Sequence, residues 1–123
     1  MLRTIAVVFG ALVLLAVASS FSVAQSPADG KALFEKRCGG CHALDRDKEG
    51  PRLGGVYGRT AGSIASFQYS DALRKSGIKW TEQTLDKWLT NTEELVPNND
   101  MTFYVEKPDE RAAIIAFLKQ VPR

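Results

Sequence analysis

Apolar residues fall along this chain at several different spacings, and each spacing predicts a different element. From Ile5 to Val17 the run is apolar and uncharged, with Arg3 before it and the small-x-small pattern Ser22-Val23-Ala24 after it. A spanning helix needs about 20 apolar residues, so residues 1–24 read as a cleavable signal peptide rather than a retained membrane anchor. The mature chain then starts at Gln25 and is short enough to make one domain, residues 25–123. Next, Leu33 and Phe34 mark the buried side of a helix that Ser26 caps, Pro27 opens and Asp29 supports at its positive end. Gly39-Gly40 stops that helix at about Cys38.

Later segments repeat the logic. Ser70 and Gly77 bracket a short helix, and Thr81 caps another with Leu85, Trp88 and Leu89 on one face. Asn91-Thr92 ends that segment, and Glu93 to Asp100 reads as loop. Pro108-Asp109-Glu110 opens a last helix carrying the stripe Ile114, Phe117, Leu118 and Val121. Between Ala43 and Phe67 the periodicity dissolves into polar residues, glycines and Pro51. So long an irregular span in a small domain points to a functional wrap, since glycine lets backbone pass close to a flat ligand.

Charge changes the picture only by exclusion. Sixteen basic residues against 14 acidic ones leave a formal +2, which gives no case for nucleic-acid binding. Cysteine and histidine usage changes it more. The chain has two cysteines and one histidine, all within Cys38-Gly39-Gly40-Cys41-His42. Two thiols at this spacing can each add to a vinyl group of one porphyrin, and the adjoining imidazole is carried under the ring to bind iron. A structural zinc site wants four ligands in separated pairs. A redox dithiol sits between a strand and a helix, and a disulfide across so small a loop is a poor staple. Haem attachment fits best. A covalently held porphyrin also gives a small domain an apolar body to pack on.

A second ligand candidate follows. Met101 is the only methionine after Met1, and it ends the polar loop Pro97-Asn98-Asn99-Asp100, where a packing residue has little to pack on. A thioether is a soft ligand for haem iron.

The ordered motifs resemble class I cytochrome c of the mitochondrial and bacterial c2 type. The resemblance rests on Gly30 and Phe34, the CGGCH motif, Gly50-Pro51-x-Leu53, and Val56-Tyr57-Gly58-Arg59. It continues through Phe67-x-Tyr69, Gly77-Ile78-x-Trp80, Val96-Pro97 with Met101-x-Phe103, and Glu110-Arg111 with Phe117-Leu118. It implies an all-α globule of about four to five short helices wrapped around one covalent haem c, joined through Cys38 and Cys41. His42 and Met101 are the implied iron ligands, with the Pro51 carbonyl orienting the His42 ring. Arg59, Tyr69 and Trp80 match positions around the propionates, and Phe103 matches the aromatic at the exposed haem edge. The implied role is electron carriage, without enzymatic chemistry. The implied partners are redox proteins: a donor such as a quinol–cytochrome c reductase and an acceptor such as a terminal oxidase or peroxidase. The implied setting is a monomer in the periplasm, with a membrane-tethered form as the lesser reading. The alternative is a haem enzyme or a gas or peroxide sensor whose distal Met101 is displaced. Leu73, Trp88 and Asn99 depart from the family pattern near that methionine. Glu93, Glu94 and Asp100 stand where mitochondrial relatives carry lysines.

Overall fold

Helix formation in this chain is set by caps more than by continuous apolar stripes. The structure, a computed structural model, describes residues 26–123, so the signal-peptide expectation for 1–24 lies outside the described residues. Among the described residues five helices follow one another: α1 (Pro27–Arg37), α2 (Asp71–Lys75), α3 (Glu82–Thr90), α4 (Thr92–Leu95) and α5 (Pro108–Gln120). Among the described residues the only β pairing is an isolated antiparallel bridge between Thr60 and Lys79. The expected all-α globule is what forms.

At the start of α1, Ser26 Oγ accepts from the Asp29 N–H at 3.3 Å, while the Asp29 carboxylate accepts from the Ser26 N–H at 3.2 Å. This reciprocal box satisfies two donors that a helix start leaves orphaned. Thr81 and Thr84 do the same for α3. α5 has no side-chain cap and relies on Pro108 and the acidic Asp109 and Glu110 of its first turn.

The loop expected over Glu93 to Asp100 is partly helical, because Asn91 serves two helices. Its N–H donates to Lys87 O at the end of α3. Its side-chain oxygen accepts from the N–H groups of Glu93 and Glu94 at 3.1 and 3.2 Å, which starts α4 one residue later. The apolar stripe of α5 also shifts. Ala113, Ile114, Ile115 and Leu118 are buried, Phe117 is half-buried, and Val121 caps the helix instead of extending its stripe. Phe117 still meets Phe34 of α1, ring centroid to centroid at 5.5 Å.

α1 and α5 cross in close contact, and Gly30 is the reason they can. A β-carbon at Gly30 would lie 2.0 Å from the Ala113 carbonyl oxygen and 2.8 Å from Phe117 Cβ. The crossing is flanked by an Arg37–Glu110 ion pair at 2.5 Å. Arg111 then ties α5 to α3 and to the segment before it, donating to Asp86 at 2.8 Å and to the Val105 carbonyl at 2.9 Å. Ile114 and Val105 lie at the centre with no exposed surface.

The close crossing generates a prediction. Gly30→Ala must push backbone apart, so it should destabilise the protein by about 1–3 kcal/mol or more, against the gain of about 0.4–1 kcal/mol that alanine brings to an open helix position. Urea unfolding of the haem-loaded protein checks this; an unchanged midpoint would refute the close crossing.

Candidate functional site

The end of α1 delivers the two thiols and the imidazole together. Cys38 is the C-cap residue, and its carbonyl accepts from both the Cys41 and the His42 N–H groups, at 3.1 and 2.9 Å. This tight turn leaves Cys38 buried, Cys41 exposed and His42 buried. His42 Nδ1 lies 2.8 Å from the Pro51 carbonyl oxygen. A carbonyl can only accept, so Nδ1 carries the proton and Nε2 keeps a free lone pair. Burial lowers the histidine's pKa, which the Pro51 contact only partly offsets, and so favours the neutral ring. Gly50 lets the ring pack flat against backbone, because a β-carbon there would sit 2.2 Å from His42 Cε1.

The irregular span that carries Pro51 is pinned by bonds that leave no periodic trace. Gly50, Leu53 and Gly54 donate to the carbonyls of Cys41, Ala43 and Leu44 at 2.8–2.9 Å. Asp47 accepts from the Arg52 N–H at 3.0 Å and from Ser66 Oγ at 2.7 Å. These bonds stabilise its charged form and hold its carboxyl below the ordinary value.

Cys38, Cys41, His42, Pro51, Arg59, Tyr69, Trp80, Met101 and Phe103 all border one cavity of about 640 Å³. Leu85, Leu89, Ile114 and Leu118 add apolar wall from α3 and α5. The volume is within the roughly 300–1,000 Å³ of sites that enclose small ligands and cofactors. Arg59 reaches in from a segment paired with 78–80: Trp80 N–H donates to Arg59 O at 2.9 Å, and Gly58 N–H to Trp80 O at 2.6 Å. Its terminal nitrogens donate to the Arg52 and Gly54 carbonyls, yet its Nε is buried with no acceptor among the described residues. Trp80 stacks at an angle on Trp88, centroids 5.4 Å apart, and Tyr69 edges onto Phe67 at 4.9 Å. Burial raises the Tyr69 pKa, keeping its hydroxyl protonated.

Met101 is half-buried and packs against the core, contrary to the expectation that it would find little to pack on. Thr92, read from sequence only as the end of a helix, is 1% exposed, and its hydroxyl donates to the Met101 carbonyl. The same oxygen accepts from the Phe103 N–H at 3.3 Å. Asn99 accepts from the Met101 N–H at 2.7 Å and donates to Val96 O at 2.9 Å. No sequence signal marks Thr92, because its partners lie nine and eleven residues away.

The rival chemistries fare poorly. Among the described residues no group of three or more His, Cys, Asp and Glu is gathered as a metal site. Burial pushes the Cys38 thiol up to about 11, the wrong direction for a redox thiolate.

The family model described as Cytochrome c matches residues 27–122. The chain belongs to the cytochrome c family. The cytochrome c of Chlamydomonas reinhardtii is 40% identical over 105 residues, spanning 79% of this chain and 94% of that one. Cytochrome c2 iso-2 of Magnetospirillum fulvum is 44% identical over 87 residues, spanning 68% and 91%. Among solved structures, cytochrome cH from Methylobacterium extorquens superposes with a TM-score of 0.73 at 35% identity, covering 77% of this chain and 98% of that one. Cytochromes c are monohaem electron-transfer proteins, and in this member one haem c is held covalently through Cys38 and Cys41. The site fits that group: an apolar slot beside two thiols and a neutral imidazole, with a buried Arg59 N–H lacking an acceptor.

The Asp47 contacts give this cytochrome an acid-limb prediction. A carboxyl whose folded pKa is depressed stabilises the fold above its unfolded value and loses that contribution as pH falls through the folded one. Stability should therefore decline below about pH 3.9, and Asp47→Asn should be less stable at neutral pH with a shallower acid decline. Identical acid limbs in urea titrations would exclude the carboxylate as the pin.

Proposed function

We propose that this cytochrome c is a periplasmic one-electron carrier, with His42 and Met101 as axial ligands and no catalytic turnover of its own. The observation that carries the reading is that the only histidine and the only methionine of the described residues border the same apolar cavity as the attachment cysteines. When bound, haem c supplies an Fe(III)/Fe(II) couple that moves one electron without making or breaking a substrate bond. The chain's own residues make that exchange easy. His42 is held by Pro51 in the tautomer that can ligate, a constraint that limits rearrangement between oxidation states. The thioether of Met101 and the apolar walls favour the reduced form and raise the potential. Arg59 offers a buried cationic donor for a carboxylate at the inner edge. The leader read over residues 1–24 supports the periplasmic setting, and no helix among the described residues is long and apolar enough to cross a membrane. Donor and acceptor proteins meet the edge near Phe103 through a small, transient contact.

Met101→Ala is the direct test. The native ferrous protein should refuse carbon monoxide, whereas the variant should bind it and show a potential lower by on the order of 0.1 V, within the span of about 0.8 V that axial ligands control. Unchanged spectra and potential would remove Met101 as a ligand.

The docking face carries its own test. Glu93, Glu94 and Asp100 are exposed, Asp100 at the rim of the cavity, so transfer to an acidic partner should depend weakly on ionic strength or speed up with added salt. A steep fall in rate on adding salt would contradict the assignment.

A further inference from the structure

The segment from Met101 to Phe103 lies outside every helix, so its backbone polar groups must find partners elsewhere. They find side chains. Both Met101 groups are taken: the N–H by Asn99 Oδ1 and the C=O by the Thr92 hydroxyl. Phe103 N–H goes to the same Thr92 oxygen. A threonine hydroxyl offers one donor and two lone pairs, and here it both donates and accepts. Thr92 is 1% exposed and is not part of the cavity wall.

We propose that Thr92 is the positioning residue for the distal ligand: its single hydroxyl, bridging the Met101 carbonyl and the Phe103 N–H, fixes how long the methionine sulfur stays on the iron. The inference rests on Met101 being that ligand. α4 is the platform that makes it possible. Asn91 starts the helix through Glu93 and Glu94, and Thr92's own carbonyl is used by the Val96 N–H at 3.0 Å. Thr92's backbone is therefore committed to the helix, and its side chain is committed to the loop. Losing the hydroxyl leaves two backbone groups without partners in a largely dry place. It does so at the residue that must let go before anything else can reach the iron. Asn99 holds only the other side of Met101 and is half-buried, so it restrains the loop without controlling Phe103. Glu93 braces the turn from outside, accepting from the Asn98 N–H at 2.9 Å, where Asn98 adopts a positive φ of 65°.

The experiment uses the haem-loaded ferric protein and imidazole as the entering ligand, with Thr92→Val preserving shape and Thr92→Ser preserving the hydroxyl. Thr92→Val should accelerate imidazole binding about tenfold or more, as expected for orphaned backbone groups, and should speed amide exchange at Phe103. Thr92→Ser should behave like the native protein. Gly30→Ala serves as a control for general destabilisation: it should lower the urea midpoint without accelerating imidazole entry. If Met101→Ala binds imidazole faster than the native protein but Thr92→Val does not, the positioning role is overturned while the ligand stands. Equal acceleration by Thr92→Val and Gly30→Ala would reduce Thr92 to ordinary packing and overturn it as well. If native protein and Met101→Ala bind imidazole alike, the ligand assignment and this proposal fall together.

Discussion

An apolar hollow of this size inside so small a protein is the constraint on which the architecture depends. Its walls come from the end of α1, from α3 and α5 and from irregular chain, so a bound haem c would take the place of side chains that a larger domain packs inside. The helices do not compensate by packing on one another throughout. α1 meets α5, and α3 meets both α5 and α4, while α2 forms no comparable helix pair. The remaining wall is irregular chain, held by Asp47, Arg59 and Thr92 through bonds to distant backbone. Haem c is thus a structural element as much as a redox centre, and its two thioether tethers fix it to the end of α1.

Chemistry was easier to read from the sequence than shape. The CGGCH motif concentrates all of the chain's cysteine and histidine in one turn, so the attachment site had no competitor. Helix starts were legible at Ser26, Ser70 and Thr81 because a capping side chain acts within three residues of itself. α4 was not legible, since Asn91 both ends one helix and begins the next. Thr92 is silent in the sequence for a related reason: a buried hydroxyl whose partners are remote in sequence looks like any other threonine. The span from Ala43 to Phe67 could be recognised as a wrap, but its course depends on long-range bonds such as Ser66 to Asp47.

The residues that depart from the family pattern are not scattered. Leu73, Trp88 and Asn99 all border the cavity. Trp88 leans on Trp80, a contact that removes an indole face from water. Asn99 spends its amide on the Met101 loop, between the Met101 N–H and Val96 O. Leu73 brings no polar group at all. Together they place an alkyl group, an indole and an amide on the cavity wall near Met101, and only the amide bonds to the Met101 loop.

The crossing at Gly30 joins the first and last helices of the described chain. Contacts between segments so remote in sequence carry a large closure entropy and form late when folding relies on chance encounter. Cys38, the first attachment residue, lies just over two helical turns beyond that glycine, on the same helix as the crossing. The attachment cysteines thus share one cavity wall with Ile114 and Leu118 of α5, so a porphyrin tethered to the first helix would bring the last one an apolar surface without waiting for the two chain ends to find each other.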